Sequence, residues 1–157
     1  MTYFLRFVVA FFLVAVTAGL SSYFSYLGVD TFYPALNLPP LNPPNHIFPL
    51  IWPILYVLMI ISCTIVLNQE GNKKAMMLFI YQLVLHVLWC VLFFANAQFA
   101  LALVCLVLLD ITVFQMIQAF ASLSKTAAYL QYPYLLWLLF ATYLNAGVWY
   151  LNGANLM

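Results

Sequence analysis

Charge is what this sequence lacks most. Of 157 residues, four are Lys or Arg and three are Asp or Glu, 4% of the chain, where a soluble domain of ordinary composition is about 25% charged. So few charges cannot cover a surface in water, and with 68% hydrophobic residues the solvent is lipid. Cysteine is also sparse: Cys63, Cys90 and Cys105 sit singly in separate apolar stretches. With no CxxC pair and no pair of loop cysteines, disulfide exchange and a structural zinc site are excluded, and no metal site is expected. Isolated thiols of this kind are small packing groups. Four basic residues and a net charge of +1 leave no nucleic-acid surface either.

What the chain has instead is long apolar runs. Five are cut at roughly 3–27, 46–67, 74–94, 98–120 and 129–150, each close to the ~20 residues needed to cross hydrocarbon. In lipid the backbone must satisfy itself, and runs this long and continuously apolar are helices, not barrel strands. The expected fold is an all-α membrane protein: one domain over 1–157, a five-transmembrane-helix bundle with a long proline-rich loop between the first and second helices. The first run has Arg6 ahead of it and small residues near Ser21 and Ser22, as a signal peptide would, but its apolar stretch continues too far for one. Arg6, Lys73, Lys74 and Lys125 all fall at one side of the bundle. The positive-inside rule makes that side, and the N-terminus, cytoplasmic, with a bacterial inner membrane as the expected location.

The loop at 28–45 carries Phe32, Tyr33, Leu36, Leu38 and Leu41, apolar groups that a disordered linker would lack, so it is expected to fold over the bundle mouth. It ends in PPLNPPNHIFPLIWPILYVLM, residues 39–59. Prolines there pre-set the backbone and join an extended loop rigidly to an aromatic helix. Within the segments, three faces stand out. Trp52 and Tyr56 lie four apart; Gln82, His86, Trp89 and Phe93 follow at four, three and four; Tyr134, Trp137, Ala141, Asn145 and Trp149 follow at three, four, four and four. Each set shares a helix face. A sector of Thr17, Ala18, Gly19, Ser21, Ser22 and Ser25 on the first helix reads first as a close-packing face, and second as room for a bulky ligand. Asp110, the one acid inside an apolar run, is a functional candidate by its depth. A hydrogen bond to a first-helix serine, or to Gln115 or Gln118, is the simpler expectation.

Several of these residues carry a resemblance. Asn42, Pro43, Pro44, Phe48, Trp52, Leu55, Tyr56 and Met59 resemble the N-P-P…F…W…LY..M signature of the TspO, or translocator protein, family. Gln82, Leu85, Trp89, Phe93 and Phe94 are similar to its Q…LN..W..FF block, with His86 where an asparagine is usual. Pro133, Tyr134, Trp137, Phe140, Leu144, Asn145, Trp149 and Asn152 are similar to YPYL.W..F...LN..VW..N. The chain departs from the family ahead of N-P-P, where Leu38 or Pro39, and Leu41, replace a lysine and a tryptophan. No Lys or Arg follows Tyr143, so the sterol pattern claimed for some members is absent as well.

The resemblance implies a bacterial-type member with no required cofactor, binding a tetrapyrrole (protoporphyrin or haem) and, in some members, sterols, with a homodimer as a common assembly. The site residues it implies, together with the faces above, are Pro39, Asn42, Pro43, Pro44, Phe48, Trp52, Tyr56, His86, Trp89, Phe93, Tyr134, Trp137, Ala141 and Asn145. Rings would stack on tryptophans while His86, Asn145 and Asn42 supply hydrogen bonds. Trp52 and Trp137 resemble the pair associated with light- and oxygen-dependent porphyrin breakdown, and would be catalytic only if the chain is such a photooxidase. Three readings follow: a sensor or carrier of tetrapyrroles, a porphyrin-degrading photooxidase, and a membrane scaffold without a ligand.

Overall fold

The structure is a computed structural model that describes residues 2–153. Helix α1 (Tyr3–Val29) starts at Thr2, whose hydroxyl accepts from the Leu5 N–H. The connecting segment contains two short 3-10 turns, Tyr33–Ala35 and Asn45–Ile47, and the second runs directly into α2 (Phe48–Leu67). Pro49 lies in the first turn of α2, where a missing N–H costs nothing, and Pro53 one turn further in. Helix α3 (Lys73–Cys90) continues through a π turn (Val91–Ala95), and α4 (Phe99–Ala121) follows. The described residues are helical and connecting segments, with no strand, and five spans are long and apolar enough to cross a membrane. This is the expected five-helix bundle.

The last span differs from expectation in its start. It opens as a short helix α5 (Lys125–Tyr129), breaks at Leu130 and Gln131, and resumes as α6 (Tyr132–Asn152). Pro133 is the reason: it has no N–H for the carbonyl of Tyr129, and its ring would clash there in a continuous helix.

Around the bundle, α1 packs on α2 and α3, α3 on α4, and α4 on α6, while α5 fills the space between α2 and α4. Ser62 of α2 donates to the Ala127 carbonyl of α5 at 2.7 Å. Met59, Phe79, Leu106, Leu109, Val113, Phe120 and Leu138 are fully buried, yet Ile54, Val84, Val104 and Leu136 point outward. Helices apolar on every side belong in lipid. The chain is a multi-pass membrane protein. Arg6 donates to the Asn68 side chain, which places the start of α1 beside the end of α2; Lys73 and Lys125 begin α3 and α5 at that same end. Asp110 finds a partner that local spacing did not indicate: Thr142 of α6 donates to it at 2.7 Å.

Candidate functional site

At the end opposite the basic residues, the segment between α1 and α2 is a strap held onto α6. The Asn37 N–H donates to Asn152 Oδ1 and Asn152 Nδ2 donates back to the Asn37 carbonyl, both at 2.9 Å. Tyr143 donates to the Pro40 carbonyl at 2.6 Å. Pro39 rests on Gly147, where even a Cβ would collide with its ring. The chain then turns through Leu41 (φ 69) with the Asn42 N–H bonded to the Pro39 carbonyl. A positive φ at the third position of such a turn favours glycine or asparagine, so this leucine, 80% exposed, is held there by the fastenings on either side. Toward α1, Phe32 packs on Phe99 and Tyr33 on Phe94. Burial raises the pKa of the Tyr33 phenol and the neighbouring Asn42 side chain pulls it partly back.

Beneath the strap lies a cavity of about 370 Å³, within the usual range for small-molecule sites. From α2 it is lined by Phe48, Trp52 and Tyr56; from α3 and its π turn by His86, Trp89, Phe93 and Phe94; from α6 by Trp137, Ala141 and Asn145; Asn42 faces it from the strap. Helices α2 and α6 meet there through rings: Trp52 and Trp137 are perpendicular at 6.4 Å, and Phe48 stands edge-on to Trp137 at 5.8 Å. Trp52 also stacks on Tyr56 at 5.6 Å and meets His86 edge-on at 4.7 Å.

Ten of the fourteen residues singled out from the sequence therefore share one wall. Pro39, Pro43, Pro44 and Tyr134 do not line it. Tyr134 is fully buried behind His86 and donates to Gln82 Oε1 at 2.9 Å. His86 makes the interhelical contacts expected of a buried histidine, 3.2 Å from the Tyr134 hydroxyl on α6 and 3.4 Å from that of Tyr56 on α2. Asn145 faces the cavity with both arms of its amide engaged, accepting from Trp89 Nε1 at 3.1 Å and donating to the Phe99 carbonyl at 2.9 Å. It braces Trp89, and of its two amide N–H groups one is held by the Phe99 carbonyl.

The wall contributed by α1 was the part not singled out. Ser21, Ser22, Ser25, Tyr26 and Val29 line the cavity, with Tyr33, Asn45, Pro49, Cys90, Leu144 and Val148. The serine-rich sector of α1 was the available signal, and its second reading, room beside a ligand, is where these serines lie. No Lys or Arg stands at this end, so the site is aromatic and uncharged. Among the described residues no group of three or more His, Cys, Asp or Glu could hold a metal ion.

The model of the TspO/MBR family matches residues 7–151. The chain belongs to the TspO/MBR family. Its relatives come from distant sources. The tryptophan-rich sensory protein of Cereibacter sphaeroides is 37% identical over 123 residues, 78% of each chain. The tryptophan-rich protein TspO of Archaeoglobus fulgidus is 35% identical over 133 residues, 83% of this chain and 86% of that one. The translocator protein of Bos taurus is 37% identical over 122 residues, 74% and 72%. In this TspO/MBR protein, the three blocks that resemble the family fall on the end of the strap and α2, on α3 and its π turn, and on α6, the elements that supply the cavity's aromatic wall.

Proposed function

We propose that this TspO/MBR membrane protein binds a tetrapyrrole, protoporphyrin or haem, in the cavity under the strap and acts as a sensor or carrier of it. The observation that carries the reading is the cavity itself: capped, lined by Trp52, Trp89 and Trp137, and free of charged side chains. A flat macrocycle suits such walls, because its faces stack on indoles and phenyl rings. Its carboxylates stay at the mouth, within the region of Asn42, Asn45 and the exposed His46. The names of relatives, sensory protein and translocator protein, agree with either role. We place the protein in a bacterial inner membrane with its N-terminus in the cytoplasm, and expect a homodimer.

The test is a protoporphyrin titration of the purified protein in the dark, followed by tryptophan fluorescence, with Trp52→Phe and Trp137→Phe beside wild type. The expected result is saturable quenching at one site per chain, weakened about threefold to tenfold in each variant, the worth of one aromatic contact. Quenching that never saturates and is equal in all three proteins would mean partitioning into the micelle, and a scaffold without a ligand would replace this reading. The Trp52–Trp137 edge contact also supports a second reading, light- and oxygen-dependent breakdown of the bound porphyrin. It requires a new absorbing product that accumulates under illumination beyond one equivalent per protein.

A further inference from the structure

The floor of the cavity carries polar groups that stacking on tryptophans leaves unused. Tyr56 stands eight residues into α2 from Phe48, and Ser21 eight residues back along α1 from Val29, so both lie about 12 Å in from the strap end. Both line the cavity. Tyr56 is only partly buried, and its hydroxyl covers His86 Nε2 at 3.4 Å, the weak limit of a hydrogen bond. The hydroxyl, not the imidazole behind it, is the group that a ligand meets. Ser21 is buried and its hydroxyl has no partner. A serine or threonine within a helix commonly spends its proton on the carbonyl four residues back, as Thr17, one turn deeper on the same face, does with Leu13 at 3.0 Å. Ser21 keeps its proton unspent.

Behind Tyr56 the hydrogen bonds can run in either direction. With Gln82 Oε1 toward Tyr134, the phenol donates to it at 2.9 Å and accepts from His86 Nδ1 at 3.2 Å. His86 Nε2 is then bare, Tyr56 donates to it, and a lone pair of the Tyr56 oxygen is left for the cavity. This arrangement leaves Gln82 Nε2 without a partner. With the amide turned over, Gln82 Nε2 donates to Tyr134, Tyr134 donates to Nδ1, His86 Nε2 carries the imidazole proton and donates to Tyr56, and the Tyr56 proton is left for the cavity. Either way the Tyr56 hydroxyl has a bonding position to spare, matched to a donor in one arrangement and to an acceptor in the other. Resting on the tetrapyrrole reading, we propose that Tyr56, assisted by Ser21, is the specificity-determining residue of this cavity, and that it selects a tetrapyrrole with a neutral oxygen substituent, a hydroxyl or a carbonyl, on the edge opposite its carboxylates. Carboxylates at the mouth direct that edge to the floor. An alkyl edge there leaves the Ser21 hydroxyl unpartnered and shuts the Tyr56 position away from water, and a buried hydrogen bond left unmade costs more than a made one gains.

Three porphyrins that share both propionates and differ only at the opposite edge test this: mesoporphyrin with ethyl groups, haematoporphyrin with 1-hydroxyethyl groups and diacetyldeuteroporphyrin with acetyl groups. Each is titrated in the dark into the full-length protein in detergent, wild type beside Tyr56→Phe and Ser21→Ala, and the readout is the ratio of haematoporphyrin to mesoporphyrin affinity within one protein. Micelle partition is common to all the proteins and cancels when their ratios are compared, and a variant that loosens the whole cavity shifts both ligands together. Tyr56→Phe is expected to lower the ratio about threefold to tenfold, the worth of one hydrogen bond, and Ser21→Ala about threefold. Resonance Raman spectroscopy of bound diacetyldeuteroporphyrin reads the same contact without a variant, because its carbonyl stretch falls below its position in an aprotic solvent when an O–H donates to it. Ratios equal in wild type and Tyr56→Phe, with mesoporphyrin saturating one site per chain and the carbonyl stretch unmoved, overturn the inference and leave tetrapyrrole binding standing. A ratio that falls in Ser21→Ala alone overturns the assignment to Tyr56. Failure of all three porphyrins to saturate removes the binding reading and this inference with it.

Discussion

Gly147 is where strap and bundle come closest: a Cβ built there lies 2.5 Å from the Cβ of Pro39 and 2.7 Å from its Cγ. Gly147→Ala must push Pro39 outward, against the Asn37–Asn152 bonds that fasten the strap. Overpacking of this kind costs ~1 kcal/mol or more, and the strap, not the helix, has freedom to yield. Bound protoporphyrin should leave the variant about fivefold faster, read by stopped-flow recovery of tryptophan fluorescence, with helix content by circular dichroism unchanged. Equal release rates would mean that the strap does not gate the cavity. At this scale helical spacing reached far, since Trp52 and Tyr56, His86, Trp89 and Phe93, and Trp137 and Ala141 all turn toward one cavity. It could not separate Trp137 from Tyr134, which share a face by period while Tyr134 turns away to Gln82. Nor could local spacing find Thr142 for Asp110, a partner 32 positions along the chain.

The elements of this fold are legible for a physical reason: hydrocarbon demands long unbroken helices, and five apolar runs of the required length stand in the chain. Features that break the regular period are harder to read. Pro133 marks the α5–α6 break, but where the chain resumes depends on how Ala127 and Ala128 bury against the bundle. The π turn has no sequence signature, because one inserted residue in a run apolar on all sides changes no pattern. It nevertheless shapes the site, bringing both Phe93 and Phe94 to the cavity wall, and Gly28 at the end of α1 fits against it. A Cβ at Gly28 would lie 2.4 Å from the Phe94 carbonyl oxygen and 2.9 Å from its Cα. Backbone atoms cannot rotate aside, so Gly28→Ala should cost about 1–3 kcal/mol by forcing α1 from the π turn. A lower thermal unfolding midpoint in detergent is the expected result, alongside weaker protoporphyrin binding as the α1 wall shifts. An unchanged midpoint would mean that α1 and the π turn are not in contact in the membrane.

For the whole molecule the outstanding property is polarity along the bundle axis. Arg6, Lys73, Lys74 and Lys125 lie at one end and the strap at the other, with Asp30 the one acidic or basic side chain, histidine aside, among the described residues of the strap end. Lys and Arg near span ends set orientation, whereas acids count for little, so the strap should face away from the cytoplasm. In the proposed orientation a cavity that opens beneath the strap would exchange with the periplasmic side, and that would set the source of a ligand. Cysteine accessibility tests it directly, since Cys63, Cys90 and Cys105 are buried in the bundle and make little background. Leu41 is 80% exposed on the strap, and Glu70 is exposed in the turn between α2 and α3; neither replacement removes a basic residue. In intact spheroplasts a membrane-impermeant maleimide should label Leu41→Cys and spare Glu70→Cys, which should react only after permeabilisation. The reverse pattern would place the strap in the cytoplasm and make a cytoplasmic tetrapyrrole pool the source. Equal labelling of both would show that four basic residues are too few to hold a single orientation.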